Sequence, residues 1–477
     1  MFIYRFVLAL YRIATWLAQP LLRDKLVRRA RKEPGYAVAV EERFGIYSTA
    51  SNAAPHEGGS EAQQQPPAAP RIWLHAVSLG ETKAAAVLLP ELRAAFPHMK
   101  LILTHGTATG REAGAALLQA GDEQLWLPWD TRQAVQRFFA HTRPDLGLLM
   151  ETEIWPSLLH EAAACGVPVA LVNARLSERS LRGARRGAWL LRPAYASLAA
   201  AWAQTEEDAL RLRRAGAAMP AVLGNLKFDA RPNPDALELG RAWRSVTARP
   251  VLMLASSREG EEAAFLDAIT ALGTKNRAGS AAGGGVQWLI VPRHPQRFDE
   301  VEQLLRAHSL TVSRRSTWGS GAPLPADVWL GDSLGEMTAY YTLASVALLG
   351  GSFAPLGGQN LIEAAACACP VLMGPYTHNF QRACELALAA GAAARVGSMH
   401  AGCAAALDVL GNATTLGAMR EAALRFASEH RGAARRTAGA VRRLLQAHGK
   451  TYESDYDSSF EHSSIFGPPS MFMNTAR

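Results

Sequence analysis

Short apolar runs alternate with helical patterns along most of this chain, and that alternation restricts the fold more than any other feature. The runs "RIWLHAV", "KLILT", "QLWLP", "DLGLLM", "PVALVN", "AAWAQ" and "AVLGNLKF" come first. After "DARPNPDALELG" the pattern restarts with "PVLMLAS", "VQWLIVP", "DVWLGD", "SVALLG" and "PVLMG". Strand-like runs joined by helices make parallel sheets with crossover helices. At 477 residues the chain also exceeds one ordinary core. The expectation is an α/β fold of two doubly wound, Rossmann-like domains facing each other across a cleft. The expected segments are a helical N-terminal segment over 1–47, a flexible loop over 48–70, a first domain over 71–228, a linker over 229–248, a second domain over 249–446 and a disordered tail over 447–477.

Ligands of such sheets bind beyond the carboxyl ends of the strands. Residues just after each run are therefore the candidates. In the first half these are Ser78-Leu79-Gly80-Glu81, "HGTATG", Glu151-Thr152-Glu153 and Lys227. Each has a plain alternative. Ser78 and Glu81 have the spacing of a capping box. Glu151 and Glu153 suit the positive end of a helix starting at Pro156. Lys227 suits a surface. Their convergence on one rim favours function. In the second half the candidates are Arg293 and His294, Ser333 to Glu336, and "GGQN" leading to Glu363. Arginine and glycine-flanked helix starts suit a phosphate, and Glu363 suits ribose hydroxyls. Again capping is the alternative, with Asn360 at the cap and Glu363 three residues on.

The charge of +8 and pI of about 9.4 point to a polyanionic partner without choosing one. Five cysteines without a CxxC pair read as reduced thiols. The opening "MFIYRFVLALYRIATWLAQPLL" places Arg5, Arg12 and Gln19 at seven-residue spacing, with the basic "RDKLVRRARK" behind it. That pattern predicts an amphipathic helix lying on an anionic membrane surface rather than spanning it. The alternative is a first helix packed on the protein's own core. There is no G-x-G-x-x-G after a strand, no Walker loop, no H-E-x-x-H and no G-x-S-x-G. No cofactor and no metal are expected. The D-x-D pair Asp455 and Asp457 falls in the predicted tail and is discounted.

Eight segments in order, "HAVSLGET", "GTATG", "ETEIWP", "NARLSERS", "LKFD", "VPRHPQRF", "GDSLGEM" and "GGQNLIEAAACACPVLMGP", resemble the 3-deoxy-D-manno-oct-2-ulosonic acid (Kdo) transferases. The resemblance runs from about residue 1 to 445 and skips only the loops and the tail. It implies the GT-B glycosyltransferase fold, CMP-Kdo as donor, a lipid A precursor (lipid IVA) as acceptor and inversion at the anomeric carbon. It places the general base on Glu81, and a stabilising acid and lysine on Glu151 and Lys227. It places contacts to CMP on Pro292, Arg293, Leu334, Gly335, Glu336, Asn360, Leu361, Ile362 and Glu363. It implies lipopolysaccharide core synthesis at the cytoplasmic side of a bacterial inner membrane, with no nucleic-acid partner. Two other readings stay open from the residues themselves: a GT-B enzyme using a uridine nucleotide sugar, and a non-catalytic sugar-nucleotide-binding protein.

Overall fold

The computed structural model describes residues 2–47, 69–272, 285–318, 321–450 and 452. Most of the predicted loop, all but the last residue of the Gly-rich stretch 273–285, and nearly all of the predicted tail, with Asp455 and Asp457, lie outside the described residues. The chain forms two units, each built on a seven-stranded parallel sheet.

In the first unit the strands are β1 (Arg71–Ala76), β2 (Lys100–His105), β3 (Glu123–Trp126), β4 (Leu146–Met150), β5 (Val169–Ala174), β6 (Ala200–Ala203) and β7 (Ala221–Val222), in the order β3-β2-β1-β4-β5-β6-β7. In the second they are β8 (Val251–Ser257), β9 (Gln287–Pro292), β10 (Val312–Arg314), β11 (Val328–Leu330), β12 (Val346–Leu349), β13 (Val371–Met373) and β14 (Ala393–Arg395), in the order β10-β11-β9-β8-β12-β13-β14. Strand order reverses between β1 and β4 in one sheet and between β8 and β12 in the other. Those reversals are the places where such sheets open a crevice for a ligand.

Both faces of each sheet are covered, which explains why the strands read as nearly continuous apolar runs. Along β1, Ile72 and Leu74 enter one core and Trp73 the opposite one, following the two-residue period of a strand. Trp73 lies flat against β4 only because residue 147 is glycine. A Cβ there would stand 2.7 Å from Trp73 Cε3.

Two expected boundaries differ from the structure. The stretch 229–248 is no linker: it contains the helix Pro234–Ser245, capped by Asn233, whose Trp243 packs on Trp318 and Tyr340 in the second unit. The division falls instead between Leu226 and Lys227. The helix Ala433–Ala447 belongs to the first unit, not the second. Its Ala434, Ala438, Val441 and Leu445 form one apolar stripe buried with Leu88 and Leu92 of the helix Leu79–Ala95.

The N-terminal stripe is divided. On the helix Phe2–Leu17, Arg12 pairs with Glu161 at 2.5 Å, and Tyr11 donates to Asp130 at 2.8 Å. Arg5 stays exposed and Leu8 is buried. Ile3, Phe6, Leu10, Ile13, Trp16 and Leu17 are each more than half exposed. No helix among the described residues is long and apolar enough to cross a membrane.

Gly147→Ala should lower the thermal midpoint, since the added methyl must displace Trp73. Overpacking of this kind costs about 1–3 kcal/mol. An unchanged midpoint would show that Trp73 has room to move.

Candidate functional site

Glu81 sits in the first turn of the helix that leaves β1, at the reversal of the first sheet. Ser78 caps that helix, its hydroxyl accepting from the Glu81 N–H at 3.4 Å. The Glu81 carboxylate reaches back in turn. It accepts from the Val77 N–H at 2.8 Å and from the Ser78 hydroxyl at 3.1 Å. Both the capping geometry and the position at the strand end are therefore present.

The electrostatics separate this glutamate from an ordinary cap. Burial pushes its carboxyl up to about 7, reinforced by the charges of Glu151 and Glu153 and opposed by the two hydrogen bonds. Glu151 follows β4, the neighbour of β1 across the reversal. It holds a left-handed backbone, φ +57°, with its N–H bonded to Val172 O at 2.9 Å. A bulky residue in that region marks strain retained at a site. Glu153 is also raised, first by burial and then by Glu151, although the Trp155 indole donates to it at 2.8 Å. Three carboxylates thus act on one another at the edge of β1 and β4.

Asn173, next along the rim after Val172, is not among the sequence candidates. It is buried with φ +52°, and its Oδ1 accepts from the Leu226 N–H at 3.1 Å. It thereby fixes the residue just before Lys227. Lys227 opens the second unit in the short 3-10 turn Leu226–Asp229, and its ammonium lies 5.3 Å above the Phe380 ring.

In the second unit Pro292 ends β9 buried and Arg293 follows it exposed. The tetrapeptide Ser-Leu-Gly-Glu recurs at Ser333 to Glu336 with a different outcome. Glu336 makes a two-pronged pair with Arg315, at 2.9 and 3.0 Å, whereas Glu81 has no cation partner among the described residues. Gly335 takes φ +82° and Leu334 is 70% exposed. The helix that follows carries Thr338, whose hydroxyl donates to Glu363 at 2.8 Å. The segments at 334–336 and 360–363 are joined through that bond. Asn360 accepts from the Ile362 N–H at 3.1 Å, while Leu361 and Ile362 are buried. Thr338 carried no signal in the sequence, because its role depends on a contact 25 residues away. Among the described residues no three His, Cys, Asp or Glu side chains group as metal ligands.

The family model described as "3-Deoxy-D-manno-octulosonic-acid transferase (kdotransferase)" matches residues 39–230. The chain is 46% identical over 438 residues to the 3-deoxy-D-manno-octulosonic acid transferase of Bordetella pertussis, covering 90% of this chain and 98% of that one. It is 32% identical to the Haemophilus influenzae protein of the same name, over 76% and 81% of the two chains. Among solved structures, a glycosyltransferase from Rickettsia africae shares the fold at 12% identity, with a TM-score of 0.52 over 79% of this chain and 99% of that one. With the two parallel α/β units, this likeness shows the GT-B fold.

Ser78→Ala should remove the cap and cost about 1 kcal/mol of stability, read from the thermal midpoint. It also removes a donor to the ionised Glu81. The Glu81 pKa should therefore rise further and carry the acid limb of any pH profile upward. A limb that stays in place would detach Glu81 from Ser78.

Proposed function

The chain belongs to the 3-deoxy-D-manno-octulosonic acid transferase family, and from that premise we propose that it transfers Kdo from CMP-Kdo to a lipid A precursor with inversion, using Glu81 as the general base. The observation that carries this reading is the Glu81 carboxyl at about 7, lodged beside Glu151 and Glu153 at the reversal of the first sheet. A base works best when its pKa lies near the working pH.

Displacement of CMP from a tertiary anomeric carbon passes through an oxocarbenium-like state. The bond from carbon to phosphate oxygen breaks and CMP carries the electron pair away. The acceptor oxygen bonds to the same carbon and its proton goes to Glu81. That proton transfer contributes about 10² to 10⁴ in rate. Glu151 supplies negative charge to the cationic carbon, and Lys227 balances charge on the substrates. Arg293 and the glycine-flanked helix start before Glu363 hold the nucleotide phosphate. Thr338 orients Glu363 toward the ribose.

Glu81→Gln should fold, because glutamine can accept from the Val77 N–H and donate to Ser78. It should bind CMP normally and lose turnover by orders of magnitude. In the parent, kcat/KM should fall about tenfold per pH unit below about 7, as Glu81 protonates. The stability effect has the opposite sense. A carboxyl raised from 4.5 to about 7 in the fold stabilises it fully at low pH and loses that contribution as pH rises to about 7. The glutamine protein should therefore match or exceed the parent's midpoint above pH 7. An active, well-folded Glu81→Gln enzyme would end this assignment.

The acceptor is a phosphorylated lipid, and the reading places the enzyme on the cytoplasmic face of a bacterial inner membrane. The exposed Phe6, Leu10, Ile13 and Leu17 support it, since scattered surface hydrophobes rarely align in this way. The helix Gln19–Lys32 adds six basic residues, and the helix Ala188–Ala196 beside the first exposes Trp189. Phosphatidylglycerol vesicles should sediment the protein and phosphatidylcholine vesicles should retain less. Phe6→Glu with Trp16→Glu should release it without changing CMP affinity. Equal binding of parent and double variant would remove the N-terminal helix from this role.

A further inference from the structure

The reversal of the second sheet lies between β8 and β12, and the residues chosen from the sequence there all follow β12. The other strand at the reversal, β8, is followed by Arg258. Ser256 holds φ +54° in a strand whose register slips between Ala255 and Ser257. The irregularity reorients the chain as it leaves the sheet, and Arg258 is the first cation to emerge.

The backbone of Arg258 is held firmly. Its N–H donates to Glu261 at 2.9 Å, and the same carboxylate accepts from Gly351 at 2.7 Å and Phe353 at 3.1 Å. One buried glutamate thus ties the end of β8 to the loop that leaves β12. The side chain of Arg258 lies over Gly351, its Cγ 3.7 Å from where a Cβ would stand, and Gln359 Nε2 is 3.2 Å from the same point. Gln359 directly precedes Asn360. On the other side, Ser257 and Pro292 are register partners and Arg293 donates its N–H to Ser257 O at 3.0 Å. Arg258 and Arg293 therefore leave neighbouring strands side by side. His294 shares this corner: after burial, the charges of Arg258 and Arg293 are what hold its imidazole below the usual range. Among the described residues Arg293 has no side-chain partner. Arg258 engages only exposed Glu259, through Nε at 3.2 Å.

A 2-ulosonic acid carried on a nucleotide has two anionic groups on one carbon, the carboxylate and the bridging phosphate. One arginine answers one of them. We propose that Arg258 binds the carboxylate of the transferred sugar acid, next to the phosphate on Arg293. The inference rests on the reading that the second unit holds the donor. Two cations from adjacent strand ends suit two anions on one carbon, and a guanidinium fork suits a planar carboxylate. A nucleotide sugar without that carboxylate leaves Arg258 unanswered, so the residue selects the donor class.

The test compares CMP with intact CMP-Kdo on the whole protein. For Arg258→Ala, CMP affinity by calorimetry should stay within about two-fold, while the KM for CMP-Kdo should rise about ten- to a hundred-fold. Arg258→Lys should fall between, keeping the charge without the fork. Arg258→Gln, with a similar stem, should behave as Ala and controls for lost packing over Gly351. Equal losses for both ligands would put Arg258 on the phosphate and overturn the proposal, and so would no loss for either. Failure of the unaltered protein to bind CMP is a separate result, against the donor site itself.

Discussion

Everything chemical in this protein depends on a backbone constraint: parallel pairing of strands brings all their carboxyl ends to one edge. Hydrogen bonding between β1 and β4 sets Glu81 and Glu151 on the same rim, although they are 70 residues apart in sequence. The pairing of β8 with β9 and with β12 does the same for Arg258, Arg293 and the loop toward Glu363. Side chains need only follow a strand closely to share a site, and the reversal of strand order decides which ends face open space.

The same constraint explains what was legible in the sequence. Apolar runs are local, so the two parallel sheets and most of their strands could be read directly, but β10 and β14 are three residues each and offer no apolar run to read. Strand ends are local too, and they led to Glu81, Glu151, Arg293 and Glu363. What escaped depended on distance. Strand order is not written in any one run, so the place of β8 beside β12 at the reversal is not legible from "PVLMLASSREG" alone. Thr338 matters only through Glu363, and Asn173 only through Leu226. The linker misreading had a different cause. Pro and Asn in "RPNPDALELG" suit a linker on sequence alone, but Asn233 and Pro234 are a helix cap and first turn, where both residues are at home. The helix Ala433–Ala447 crossed back for the sake of an apolar stripe whose receiving surface lies more than 300 residues earlier.

The recurring Ser-Leu-Gly-Glu shows how little a motif determines without its surroundings. At Ser333 to Glu336 the carboxylate meets the Arg315 guanidinium, which is stacked against Trp243 at 4.9 Å. That two-pronged pairing makes Glu336 a fixed anchor. At Ser78 to Glu81 no cation answers among the described residues, two other carboxylates stand nearby, and the carboxyl is pushed up to about 7. The difference lies in the neighbours supplied by other strands.

Capping and the proposed proton transfer are therefore compatible at Glu81. The Val77 N–H and the Ser78 hydroxyl pull its pKa down and fix its direction, while burial and its acidic neighbours push it up. Without the two donors its pKa would rise further and its direction would no longer be fixed. Without burial and the neighbouring charges those donors would hold it below the usual 4.5. The value near 7 is the balance of these opposed effects. A helix start at a strand end supplies both sides of that balance at once. The backbone there offers donors that no helix bond uses, and the sheet edge brings in charges from the next strand.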